Sequence, residues 1–380
     1  MKRTEDDTAF DETSDGRDSE YTSRLLSDGG QTARMFDDTE VTEVTRTQQF
    51  AEVVDESIVQ PTKIAWSDWR TKIGMIIISL FFFMGAVTSL HRHGYEWFNG
   101  ALAAVGMPWQ LGEPRAQQAP ERFLRPFESW QYPLGTDMMG RDLLSGIFWA
   151  TPQMIQMVIA AGVFVTVVAT VIGTTAGYKR GNTETVLMTL TDIAMTIPGL
   201  PLVIVIVALI DTTNPFLLGI ILSINAWAGL ARSIHSQVLS LREHSYVEAS
   251  RTMGVGTSGI LRKDILPNLM PYIMINFTFA ARGVIYASVA LYFLGVLSYD
   301  GIGNWGVMMN MAYAVMGAFE VPGRMYLLLV PMAPVVIVSF GFILFSQGTD
   351  RLFNPRVRTR HEGATKSEAE DEDTIHGPVK

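Results

Sequence analysis

The sequence predicts an all-α polytopic membrane protein with six transmembrane helices. Hydrophobic residues make up 48% of the 380, and several runs free of charge reach the roughly 20 residues that cross a bilayer. The net charge of −9 combines two acidic ends with a basic middle: residues 1–60 hold sixteen acidic and six basic side chains, residues 361–380 hold six and two, and residues 61–360 hold sixteen and twenty-one. Such acidic, polar stretches do not bury enough apolar surface to order themselves, so both read as disordered tails. The opening stretch has no apolar h-region, so no signal peptide is expected. With no cysteine in the chain, disulfide and thiol chemistry are excluded.

In chain order, the first span is Ile73 to Leu90, with Trp66 and Trp69 before it and Trp97 after it as interfacial anchors. Residues 91–151 follow as an external loop. Thr136 or Asp137 within it is expected to cap a surface helix that lays Leu143, Leu144, Ile147 and Phe148 along the membrane. Spans two to four are Gln153 to Thr175, Val186 to Ile210 and Pro215 to Ala231. A polar island, Arg242 to Pro267, precedes spans five and six, Leu269 to Leu294 and Met325 to Phe345. Pro198, Pro201, Pro331 and Pro334 each lack an amide donor and are expected to kink or interrupt their helices.

Within the island, Ser245 and Glu248 have capping-box spacing, which opens a helix of about two turns at Tyr246. Gly254 stands where a left-handed residue ends it. A second short helix starts at Thr257 or Ser258, and Pro267 occupies the first turn of the next span. Gly254 to Gly259 also spell G-x-G-x-x-G, but a dinucleotide site needs a strand before that motif. A helix is expected there instead. No G-K-[ST] occurs, so the chain has no P-loop.

The basic residues decide sidedness. Lys63, Arg70, Lys72, Lys179, Arg180, Arg232, Arg242, Arg251, Arg262, Lys263 and the arginines from 351 to 360 fall at one set of helix ends, against six arginines at the other. The richer side is expected to be cytoplasmic, which puts both termini and the island there. Asp192 and Arg282 are the charged residues inside the spans, and such residues are functional candidates because hydrocarbon penalises charge. Their depths along their helices argue against a direct pair. Arg282 is expected to face a watery translocation path, and Asp192 to lie nearer the interface.

Glu248, Ala249 and Ser250, then Gly254, then Ile265, Leu266 and Pro267 resemble the EAA loop of ABC importer permeases, with Ser250 in place of the second alanine. Tyr132 to Ser145, YPLGTDMMGRDLLS, resembles a block of the dipeptide, oligopeptide and nickel branch, with Tyr132 replacing its histidine. Phe293 to Gly295, Asn304 to Gly306 and Asp350 to Arg356 resemble further segments of that branch, here with Ser288 where a glutamate is common and Asn354 where an aspartate is usual.

The resemblance implies a second-permease subunit with the type I ABC importer permease fold, not an enzyme, working by alternating access. Its coupling helix, with Tyr246, Glu248, Ala249, Ser250, Gly254, Ile265, Leu266 and Pro267, would dock into an ATPase subunit. Implied partners are a second permease, two ATP-binding cassette subunits, an external solute-binding protein and the bilayer, with no nucleic acid. The chain itself would bind no cofactor, ATP being used by its partners. Di- or oligopeptides are the leading solute, with nickel or sugars open; the rival class is an ion-coupled secondary transporter. The chain then divides into an acidic tail (1–60), an interfacial segment with the first span (61–90), the external loop (91–151), a five-helix core (152–349) carrying the coupling loop (242–267), and a second tail (350–380).

Overall fold

A computed structural model describes residues 68–297 and 303–352. Trp66, Lys63, both acidic tails and the end of the DRLFNPR segment lie outside them. The described residues are helical with no strand, apart from one isolated bridge between Thr136 and Asp142.

Helix α1 (Trp69–Arg92) opens where the Asp68 side chain accepts from the Arg70 amide at 3.1 Å. Short α2 (Trp97–Ala104) follows in the loop. Helix α3 (Leu143–Lys179) is the axis of the molecule, 37 residues long, about 56 Å at 1.5 Å per residue. The expected surface helix does not exist as a separate element. Asp142, not Thr136 or Asp137, is the cap: it accepts from the Leu144 and Ser145 amides, each at 3.1 Å. The four apolar residues assigned to the surface helix are instead the first turns of the second span, with Leu143 and Ile147 in the core.

That continuity needs an account, because Pro152 sits inside α3 and has no amide for the Phe148 carbonyl. The hydroxyl of Thr88 on α1 donates to that carbonyl at 3.0 Å. The backbone acceptor freed by proline is thus satisfied by a neighbouring helix, as a bilayer interior requires.

The third and fourth spans are both broken. Helices α4 (Gly181–Thr196) and α5 (Gly199–Ile210) meet at 86°, because Pro198 forces Ile197 out of helical geometry, to ψ 125°. Helices α6 (Pro215–Leu222) and α7 (Ala226–Leu241) meet at 59°. The fourth span therefore runs ten residues past the expected end at Ala231. The last helix, α12 (Tyr326–Leu352), carries Pro331 and Pro334 inside it without interruption. Counting each bent pair as one, the described chain has six helices or pairs long and apolar enough to cross a membrane.

Close approach by glycine holds the bundle together. A Cβ on Gly74 would lie 2.6 Å from the Phe345 amide nitrogen, so α1 and α12 touch backbone to backbone in antiparallel order. Gly219 and Gly173 press on α3 and α7 in the same way, at 2.5 and 2.6 Å. Trp305, which opens α11 (Trp305–Ala314), is fully buried, and its indole N–H donates to the Ile147 carbonyl at 3.2 Å.

Candidate coupling site

The island folds into a knob at the end of the bundle where α3 and α7 stop. Helix α8 (Ser245–Thr252) begins one residue before the expected start. Its cap position is held by His244 in extended geometry, with no side-chain cap bond, so the Ser245–Glu248 capping box does not form. Ser245 already has helical geometry, and the helix entry is closed instead by the His244 carbonyl, which accepts from the Val247 and Glu248 amides at 3.0 and 3.2 Å. Glu248 is left exposed, as are Tyr246 and Ala249, while Ser250 is half-buried.

The C-terminal end is as the sequence predicts. Gly254 takes φ +80°, and the paired bonds of a glycine-ended helix are present: Val255 amide to Ser250 carbonyl at 3.1 Å, Gly254 amide to Arg251 carbonyl at 3.0 Å. A Cβ at Gly254 would meet nothing within 4 Å, so its dihedral angle, not space, demands glycine.

The second short helix, α9 (Thr257–Ile260), is not a free-standing element. It passes through a π-helical turn (Leu261–Ile265) into α10 (Leu266–Phe293) without a loop. The Leu266 amide bonds the Leu261 carbonyl, five residues back, just before Pro267, which has no amide to offer. The result is one continuous rod, Thr257–Phe293. Val247, Ile260 and Ile265 are at most 1% exposed and seat the knob on a cluster that includes Ala169 of α3 and Ile234 and Val238 of α7. These three fully buried aliphatic side chains hold the knob firmly, at roughly 1.5–3 kcal/mol each.

Polar contacts tie the knob to its neighbours. Arg242 donates to the Tyr178 carbonyl at 3.1 Å, the Arg251 guanidinium stands 5.8 Å over the Tyr178 ring, and Asn268 donates to the Tyr246 hydroxyl at 3.3 Å. Glu184 of α4 meets His235 of α7 at 2.8 Å. One and two turns deeper, Asp192 pairs with Arg232. Sequence reasoning had counted Arg232 only as a cytoplasmic charge. At the two breaks, the Asn225 side chain donates to the Ile197 carbonyl at 3.4 Å. The inner halves of spans three and four are therefore linked at three levels.

Arg282 is half-buried, lies over the Phe279 ring at 5.4 Å and makes no pair with Asp192. Its neighbours Phe279 and Gly283 line a cavity of about 340 Å³ with Ser223 and Asn276, beside the break in span four. The Gly254 to Gly259 run joins two helices, so the geometry of a dinucleotide fold is not there.

Ahead of the second span, the YPLGTDMMGRD part of that block is a folded clasp. Asp137 accepts from the Met139 and Arg141 amides at 2.7 and 2.9 Å, and Tyr132 donates to the Gln118 carbonyl at 3.0 Å. Burial pushes the Asp142 carboxyl up, against hydrogen bonds from Ser145, Trp109 and the Leu144 amide that pull it down.

Residues 169–359 match the family model described as binding-protein-dependent transport system inner membrane component. The chain is 29% identical over 226 residues to the dipeptide transport system permease protein DppC of Bacillus subtilis, covering 59% of this chain and 68% of that one. To the oligopeptide transport system permease protein OppC of Haemophilus influenzae it is 30% identical, over 59% and 70%. To the nickel transport system permease protein NikC of Escherichia coli strain K12 it is 30% identical over 247 residues, 64% of this chain and 80% of that one.

Proposed function

Because the chain belongs to the binding-protein-dependent transport system inner membrane components, and is a permease subunit of an ABC importer of the peptide and nickel branch, we propose that its knob is the coupling element that an ATPase subunit moves. The single observation that carries this is the rod: an exposed, glycine-ended helix α8 is followed, after one turn, by a helix that runs without a loop into a span. In this reading the exposed Tyr246, Glu248 and Ala249, with Ser250, enter a cleft on the ATPase, Gly254 fixes the sharp return, and Ile265, Leu266 and Pro267 pass the motion to α10.

ATP is hydrolysed by two cassette subunits on the cytoplasmic face, and this chain binds no cofactor. A second permease completes the path, and an external binding protein delivers solute. Both termini lie in the cytoplasm, a placement supported by the basic residues collected at the knob's end of the bundle. Moving a two-state carrier from 1:99 to 99:1 takes about 5.5 kcal/mol of differential binding, within reach of ATPase closure on docked knobs. The solute is a di- or oligopeptide, the cargo named for several of the relatives. Arg282 and Asp192 line the path, supported for Asp192 by its half-exposed ion pair with Arg232 within the spanning helices, where only water or protein is a tolerable neighbour.

The test is Gly254→Pro in the assembled importer. Proline cannot adopt φ +80°, so membrane insertion should persist while substrate-stimulated ATP hydrolysis falls to the unstimulated rate. Normal stimulation would refute the coupling role.

A further inference from the structure

Beside the knob lies a second feature that the coupling role does not use. A cavity of about 450 Å³ opens between the last residues of α3, the end of α7 and the return after α8. Its walls carry Lys179, Arg242 and Arg251, with Tyr178, Gly256 and Thr257, and no carboxylate. The described contacts leave these cations unneutralised: Arg242 spends one nitrogen on the Gly177 and Tyr178 carbonyls, Arg251 faces the Tyr178 ring, and Glu184 on the adjoining helix is taken by His235. Three positive charges around one opening favour an anion.

The surroundings say where that anion comes from. The cavity sits at the terminal residues of two helices of the spanning bundle, α3 and α7, at the end where the basic side chains collect. Tyr178 is at the position where interfacial aromatic residues gather. Below it on the same stripe of α3, by helical spacing, come Val171, Val167 and Val163, exposed by 60, 54 and 48%. An apolar track therefore leads from the basic cavity towards the hydrocarbon.

We propose that this cavity binds the phosphate of an anionic phospholipid, whose acyl chains lie along Val163, Val167 and Val171. The proposal rests on the cytoplasmic placement of the knob, and it makes the lipid a neighbour of the coupling helix through Arg251. Basic pockets between helices on that face suit such headgroups, each nearby cation adding attraction.

The purified full chain in uncharged detergent would be titrated with dihexanoyl phosphatidylglycerol, dihexanoyl phosphatidylcholine and inorganic phosphate. Saturable binding of the phosphatidylglycerol is expected, at least about tenfold tighter than inorganic phosphate, with no saturable binding of the zwitterionic lipid. Lys179→Gln with Arg251→Gln, which leaves the carbonyl-holding Arg242 in place, should weaken it about thirtyfold, and Lys179→Gln alone about fivefold. Unchanged affinity in both variants overturns the site. Inorganic phosphate binding as tightly as the lipid reassigns it to a soluble phosphate. Lipid binding that survives while the double variant loses the ATPase subunit shows that the cations face a protein partner instead, and also overturns it. A chain that binds the lipid but no ATPase would sink the coupling role and leave this site standing.

Discussion

At the scale of single residues, Pro152 removes a donor from the middle of α3 and Thr88 returns one from another helix. Thr88→Val should therefore destabilise the protein by about 1–3 kcal/mol, since a buried carbonyl is left unpaired. In a Pro152→Ala background the amide is restored, and the same substitution should cost far less. Thermal unfolding of the four proteins in detergent gives the cycle, and equal losses in both backgrounds would remove Thr88 from this role. The second span is expected to start at Gln153, ten residues after the true helix start at Leu143, and nothing in the chain near Pro152 announces that a threonine 64 residues earlier fills the gap. Asp142 was more legible than its reading allowed: it precedes Leu143 and stands three residues before Ser145, whose hydroxyl it accepts. Gly254 was read correctly because only one residue type tolerates its angle, whereas Ser245 failed because a cap depends on where the chain enters, a tertiary matter.

At the scale of elements, the two broken spans share a joint. Ile197 and Asn225 touch where both spans break, and below that joint Glu184–His235 and Asp192–Arg232 bind α4 to α7. The inner halves should move as one body. The absence of cysteine offers a clean background for the check: Cys replacing Glu184 and His235, bridged by a bismaleimide of about 10 Å, should leave substrate-stimulated ATPase activity within about twofold of the unbridged pair. Loss of stimulation on bridging alone would mean that these helices slide past each other during turnover. The breaks themselves were half legible. Pro198 predicts the 86° bend by its effect on Ile197, but no proline marks the break at Ser223 to Asn225, so the fourth span was drawn straight and too short.

At the scale of the whole molecule, the packing puts the start of α1, the ends of α3, α7 and α12 and the knob on one face. Gly74 meets Phe345, and Thr88 meets Phe148, so α1 runs antiparallel to both α12 and α3. A single cysteine introduced at Val105, 84% exposed at the opposite face, should react with an impermeant maleimide from outside intact cells. One at Met253, 74% exposed on the knob, should react only after permeabilisation. The reverse pattern would invert the topology. Six spans, their order and the island were readable because hydropathy and basic flanks act locally. The long clasp before α3 was not, because its glycines, Tyr132 and Asp137 are held by partners scattered through the loop and in α12, as when Tyr326 donates to the Thr136 carbonyl.

The loop-free join between α9 and α10 turns the fifth span into a lever. With 37 residues in one piece, about 56 Å from end to end, a tilt of about five degrees at the knob sweeps the far tip through about 5 Å. Small strokes at the knob are thereby amplified at the far end of the span.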